Sequence, residues 1–266
     1  MKIPKIIHQI HTKGINALTH EEKQAIDLLK KNNPDWHYQF YNYQNMLDFI
    51  KQNYSSRYLN AFLSINPEYG AAQADYFRYL LIYKSGGAYF DVKSYTTIPL
   101  SHLILPTDDL LLFEWQGGSS QYQHFGLHKE IKRGREFQQW NIISSANNSY
   151  IYKVIEIITQ NIEQYSVLKF KYGWKGVLLT TGPIAYTNAI DQIEKKETIR
   201  ILGSSCKNGV IYRNHDSVQD LDKAHYSYLK SPVILRNGIY KYNDKIIIYI
   251  FLLRRLITRM ISQSTT

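Results

Sequence analysis

An alternation of two hydrophobic periods along the first hundred residues constrains this chain more than any other feature. "KIPKIIHQI" is an apolar, β-rich run that ends in polar residues, and it predicts a first, buried strand. "THEEKQAIDLLKKN" follows, with Thr19 and Glu22 spaced as a capping box and Ile26 and Leu29 at helical spacing. In "NPDWHYQFYN" Trp36, Tyr38 and Phe40 alternate as in a strand. "NYQNMLDFIKQNY" returns to helical spacing through Met46, Leu47 and Ile50. Strand and helix taking turns predict an α/β fold with a mainly parallel central sheet flanked by helices.

The pattern continues. "NPEYGAAQADYFRYLLIYKSGG" predicts a helix capped by Asn66, opened by Pro67 and stopped at Gly86. The strand "AYFDV" comes next, and "TDDLLLFEWQGG" predicts a central strand. "QHFGLHKEIKRGREFQQW" is polar and mixed in charge, so a surface excursion is expected there. "QWNIISSANNSYIYKVIEIITQNIEQY" predicts a strand and then a helix from about residue 149 to 164. "GVLLTTGPIAYTNAIDQIEKK" reads as a strand, a turn at Gly182 and a helix opened by Pro183. "TIRILGSS" and "GVIYRN" read as late, short strands. With no internal repeat and no long linker, one domain is expected over residues 1–235, followed by a tail over 236–266.

Composition narrows the classes. A chain of 266 residues that is 44% hydrophobic can bury a substantial core. Its one cysteine, Cys206, excludes an intrachain disulfide and fits a reducing compartment. "MKIPKIIHQIHTKG" reads as neither a signal peptide nor a membrane span, so a cytoplasmic protein is expected. The 23 tyrosines suit contacts with sugars, bases or interfaces, or simply fill phenylalanine positions. Net charge is +10, of which +6 falls in residues 230–266. That asymmetry, with no nucleic-acid motif, argues against a nucleic-acid binder.

Residues 74–100, "ADYFRYLLIYKSGGAYFDVKSYTTIPL", carry the chemistry. Asp75 and Arg78 are three apart and share a helix face. Beyond the double glycine, Tyr89, Asp91 and Lys93 fall on one side of a strand, with Asp91 near its C-terminal end. Ligands of open α/β sheets bind beyond the strands' C-terminal ends, so Asp75, Arg78, Asp91 and Lys93 would meet in one crevice. The alternative is a structural Asp75–Arg78 ion pair with Asp91 solvated in a loop.

"IPKIIHQ", "ADYFRYLLIYKSGGAYFD", "LLTTGPIAYT" and "AHYSY" occur in the order seen in glycosyltransferase family 32, which this chain resembles over roughly residues 3 to 230. Its members include mannosyltransferases and capsule or lipopolysaccharide galactosyltransferases, and the large glucosylating toxins are similar in the same core. The resemblance implies a GT-A type nucleotide-sugar-binding fold and transfer from a nucleotide-diphosphate sugar with retention at the anomeric carbon. A UDP-sugar donor, a glycan acceptor and a role in cell-surface polysaccharide synthesis are implied with it, and a membrane-bound tail would make that acceptor a lipid-linked glycan. By the same resemblance Asp75 and Arg78 bind donor hydroxyls, Tyr89 packs beside the donor, and Asp91 is the first Asp of the DxD motif. His8, Gln9 and Ile10 line the base pocket, Gly182 and Pro183 form the turn behind the site, and His225 joins Asp91 as a metal or diphosphate ligand.

Lys93 stands where the second DxD Asp would coordinate Mn²⁺ or Mg²⁺. An ammonium offers such a cation no lone pair. Either Lys93 replaces the metal and pairs with the diphosphate, which lysine does well, or a metal binds through Asp91, His225 and the donor. A catalytically impaired relative that only binds nucleotide sugar or glycan is the alternative function. In the tail, Leu253, Leu256, Ile257, Met260 and Ile261 oppose Arg254, Arg255 and Arg259 at helical spacing. This predicts a basic amphipathic helix suited to the inner, anionic face of a membrane, or else one docked on protein.

Overall fold

The predicted capping box forms. Glu22 N–H donates to Thr19 Oγ1 at 3.2 Å and Thr19 N–H to Glu22 Oε2 at 2.8 Å. It opens helix α1 (His20–Asn32), which links strands β1 (Ile6–Ile10) and β2 (His37–Tyr41). The structure, a computed structural model, describes residues 2–115, 126–131, 133–194, 199–212 and 228–264, the side chains at 241, 255, 259 and 261–264 excepted. Helices α2 (Tyr43–Asn53), α3 (Ser56–Ser64) and α4 (Gly70–Ser85) lead to β3 (Gly87–Phe90) and β4 (Ser94–Thr96). After α5 (Leu100–Leu103) come β5 (Leu110–Phe113), β6 (Asn141–Ser144) and α6 (Ser149–Glu163). Helices α7 (Val167–Phe170), α8 (Gly173–Thr180) and α9 (Pro183–Ile190) precede β7 (Ile199–Leu202) and β8 (Val210–Tyr212). Helix α10 (Ile239–Ser264) is the last element.

Six strands form the main sheet in the order β2-β1-β3-β6-β5-β7, and β4 pairs with β8 beside it. Only β6 runs against the others, pairing antiparallel with β3 and β5. The mostly parallel α/β fold is therefore as expected. The chain steps from β1 to β2 on one side and then to β3 on the other, so the β1/β3 boundary is a topological switch point. Alternate residues of the strands feed two cores. Tyr89, Leu110, Leu112 and Ile142 face a large cluster under α2, α4, α6 and α9. Ile7, Ala88, Phe90, Leu111, Phe113 and Ile143 face a smaller one with Leu29, Leu100 and Trp140.

Several local expectations are corrected. Helix α4 begins at Gly70, not Pro67, because the Asn66 side chain accepts from Glu68 N–H (3.1 Å) and closes its own turn. The segment up to Thr180 is helix α8 rather than a strand, a distinction that a short apolar run does not encode. β5 is next to an edge, not central. The supposed surface excursion ends in buried chain, with Glu136, Phe137 and Gln138 all at 1% exposure or less. The last helix starts at Ile239, well before Leu253. It docks through Asp244, which accepts from Val167 N–H (3.1 Å) and from Arg236 Nε and Nη2 (both 2.7 Å). Ile248 is buried beside this anchor, and Phe251 stacks on Tyr172 at 6.4 Å. No helix among the described residues is long and apolar enough to cross a membrane.

Candidate active site

Helix α4 is buried on nearly every side, so any polar group in it must find partners within the fold. Asp75 and Arg78 find each other, with Arg78 Nη2 at 2.9 Å from Asp75 Oδ1. Gln139 Nε2 donates to Asp75 Oδ1 and Thr181 Oγ1 to Asp75 Oδ2, both at 3.1 Å. Arg78 Nη1 reaches forward to Asp91 Oδ1 (3.2 Å) and the Gln139 carbonyl (2.9 Å), and its guanidinium lies 4.6 Å from the Tyr89 ring centre. Tyr89 OH donates to the same Asp91 oxygen at 2.6 Å. Three of the four groups expected to converge therefore do so, with Tyr89 beside them.

The network has a buried back and an open front. The side chains of Asp75 and Arg78 are 6% and 4% exposed, against 28% for Asp91. Burial pushes the Asp75 carboxyl up to about 6, the Arg78 charge working against that shift. Burial also opposes the Arg78 charge, but Asp91 and the other groups around it prevail and raise the guanidinium above its ordinary range. Asp91 is fixed from behind. Its N–H donates to the Trp140 carbonyl (2.9 Å), and its carbonyl accepts from Gln9 Nε2 (3.1 Å) and Ser94 N–H (2.9 Å). What Asp91 offers the crevice is its carboxylate, at the C-terminal end of β3.

Lys93 does not join them. The strand ends at Phe90 and the chain turns through residues 91–93, so strand alternation does not carry Lys93 to the Asp91 side. Its side chain is half exposed and its Nζ stands 4.0 Å from Glu22 Oε1. His8, Gln9 and Ile10 are all buried. Burial holds His8 neutral, down to about 4, and its ring bridges the Gly86 carbonyl (3.0 Å) and Tyr41 OH (3.2 Å). Gln9 joins Asp91 to Tyr38 OH (2.9 Å). Gly182 precedes Pro183 at the start of α9, where a Cβ would sit 2.9 Å from Leu178 Cα. That close approach brings Thr181 onto Asp75. His225 lies outside the described residues.

Sequence reasoning missed Gln139, Thr181 and Tyr79, whose single OH proton lies within reach of two acceptors, Gln139 Oε1 and the Thr181 carbonyl (3.0 Å). Thr181 adjoins the Gly-Pro pair that was singled out, whereas Gln139 sat in the stretch read as surface. Among the described residues no group of three or more His, Cys, Asp or Glu side chains could hold a metal ion. Asp91 supplies one carboxylate, with one oxygen already engaged, so the described residues alone do not fit a divalent cation.

Residues 19–110, which include Asp75, Arg78, Asp91 and Lys93, match the family described as glycosyltransferase sugar-binding region containing DXD motif. No curated protein matches the chain. Among solved structures, the PaToxG glycosyltransferase is 19% identical, with 71% of this chain and 69% of that one covered at a TM-score of 0.51, a likeness of fold. The ligand-free glycosyltransferase domain from the YGT toxin is 11% identical over 75% and 80% of the two chains, at a TM-score of 0.47. The catalytic domain of alpha-toxin from Clostridium novyi is 10% identical over 71% and 63%, at 0.38. Over residues 19–110 this chain is thus similar to a glycosyltransferase sugar-binding region, and in that stretch Asp91-Val92-Lys93 has Asp at the first place of a DXD pattern and Lys at the third.

Proposed function

We propose that the chain is a retaining hexosyltransferase that moves a sugar from a UDP-sugar to a glycan in the building of a cell-surface polysaccharide. The observation that supports it most is the Asp75–Arg78–Asp91 network at the β1/β3 switch point, inside the matched region. Asp91 meets donor hydroxyls, held from behind by Arg78, which Asp75 holds in turn, so the buried Asp75 and Arg78, expected to bind donor hydroxyls themselves, act through Asp91. Retaining transfer asks the protein for position and charge rather than for a nucleophile. The acceptor hydroxyl attacks on the face that the diphosphate leaves, and the departing phosphate takes the proton. Two carboxylates and one guanidinium leave the crevice floor without surplus positive charge, so a cation must meet the diphosphate. Lys93, half exposed on a flexible stem, is the one we assign.

The same reading gives α10 a membrane role. Ile239, Tyr242, Ile246, Tyr249, Ile250, Leu253, Leu256, Ile257 and Met260 are all exposed, and they fall within an arc of roughly 120° of the helix. The exposed Lys245 and Arg254 flank that arc. An apolar stripe edged by cations complements an anionic lipid surface, which is where a lipid-linked acceptor resides.

A panel of UDP-glucose, UDP-galactose, UDP-N-acetylglucosamine and GDP-mannose tests the reading by thermal stabilisation, followed by donor hydrolysis or transfer. Binding with turnover supports it, and binding without any turnover favours the impaired relative. If no nucleotide sugar stabilises the protein, the reading falls.

A further inference from the structure

Residues 126–140 hold a second constellation, which the donor crevice does not use. Glu136 is fully buried, and both its oxygens serve one residue. Its Oε2 and Oε1 lie 2.8 and 3.0 Å from His128 Nδ1, and His128 N–H donates to Oε2 at 2.9 Å. Burying a carboxylate is costly, and a histidine that met only solvent would not need one behind it. A carboxylate only accepts, so Nδ1 carries the proton and Nε2 points outward. Nε2 then accepts a hydrogen bond from a neutral ring or donates one from a protonated ring, and a hydroxyl partner suits either state. It has no hydrogen-bond partner among the described residues, and the side chain is 20% exposed.

Beside this ring stands Trp174, 43% exposed, with ring centres 6.0 Å apart and planes tilted by 52°. The two are held in place together. Lys175 and Glu130 form a 2.8 Å ion pair between α8 and the His128 loop, and Ile131 packs on Leu178 and Ile184. Glu136 lies three residues before Gln139, whose amide touches Asp75, so their Cα atoms are at most about 10 Å apart along the chain.

From this geometry we infer that His128, oriented by Glu136, and the exposed face of Trp174 form a saccharide subsite that receives a hexopyranose ring of the acceptor. The indole covers the apolar C–H face of the ring and Nε2 takes one of its hydroxyls, the pairing of flat apolar area with a few fixed polar groups that ligand sites use. This rests on the glycosyltransferase reading and names the acceptor end of that site.

The test uses the full chain with ¹⁵N-labelled indoles, titrated with the methyl α-glycosides of glucose, galactose and mannose and with maltotriose. At least one sugar should shift the Trp174 indole signal saturably, together with the His128 ring signals. His128→Ala and Trp174→Ala should each weaken binding about tenfold, the worth of one good contact. Trp174→Phe should retain most of it. Stabilisation of the wild type by a UDP-sugar with no Trp174 shift by any of these sugars would overturn the subsite and leave the transferase reading standing. A saturable Trp174 shift with no stabilisation by any nucleotide sugar would support saccharide binding there but remove the transferase reading and, with it, the acceptor role. Shifts scattered over the surface, or equal in the alanine variants, would also overturn it.

Discussion

Two buried ionisable groups set opposite pH responses at the centre of the fold. His8 stays neutral down to about 4, so between 6.5 and 4 the unfolded chain binds a proton that the folded chain refuses. Its stabilisation is complete above the unfolded value and is lost as pH falls through the folded one, about 3 kcal/mol in all. Asp75, raised to about 6 from 3.8, works the other way. Its contribution is complete below 3.8 and is lost as pH rises through about 6, again about 3 kcal/mol. The two nearly cancel in wild type. His8→Gln should therefore gain stability relative to wild type as pH falls from 7 to 4.5, and Asp75→Asn should lose it, measured as urea midpoints. Parallel profiles for all three proteins would sink the assignment. Lys93 makes a separate prediction: transfer should survive EDTA, and Lys93→Asp should need added Mn²⁺. Wild-type activity abolished by EDTA and restored by Mn²⁺ would exclude the assigned role. Helix and strand periods put Asp75 beside Arg78 and Tyr89 beside Asp91 in the sequence, but spacing left a structural ion pair open, and it was the family resemblance that marked the four as one site. Gln139 and Thr181 reach Asp75 only through tertiary packing between residues far apart in the chain, and no local period encodes that.

Elements were legible where a period or a cap was complete. The Thr19 and Glu22 box, the helix from Ser149 and the Pro183 start all formed as expected. They failed where two signals competed. Asn66 can cap a helix or close its own turn, and hydrogen bonding to Glu68 N–H decided for the turn. The segment that became α8 is too short for its period to separate strand from helix. The junction of α4 and β3 is set by Gly86 and Gly87, both at positive φ. A Cβ at Gly87 would lie 2.5 Å from the Ile6 carbonyl oxygen and 3.1 Å from His8 Nε2, where neighbouring backbone cannot yield freely. Gly87→Ala should cost at least about 2 kcal/mol, through both the strained φ and the displacement of β1. It should also reduce transfer, because the turn at Asp91 hangs from the same strand. A urea midpoint within experimental error of wild type would show that β1 and β3 can separate without loss.

At the scale of the whole molecule, the sheet holds the Asp75–Arg78–Asp91 network at its switch point, while α10 presents two different apolar faces. The face with Ile247, Ile248, Phe251 and Leu252 packs on the core, and the opposite one, from Tyr242 to Met260, is open. The sequence displayed only the second half of the open stripe, because the docked residues interrupt its reading as a simple two-sided helix. Net charge reinforces the proposed lipid partner, since the last 37 residues hold +6 of the +10. A second copy of this helix would instead set like charges against each other. A truncation before Asp244 would remove the buried anchor that holds Val167 N–H and Arg236, and so would confuse unfolding with lost binding. Truncation after Leu252 spares that anchor, as does the triple substitution Tyr249→Ser, Leu253→Ser, Leu256→Ser on exposed positions. Both variants should keep the wild-type melting temperature within a few degrees, since exposed positions carry little stability. Both should lose sedimentation with phosphatidylserine-containing vesicles, and wild-type binding should weaken as salt rises. If either variant sediments as well as wild type, the stripe does not face lipid.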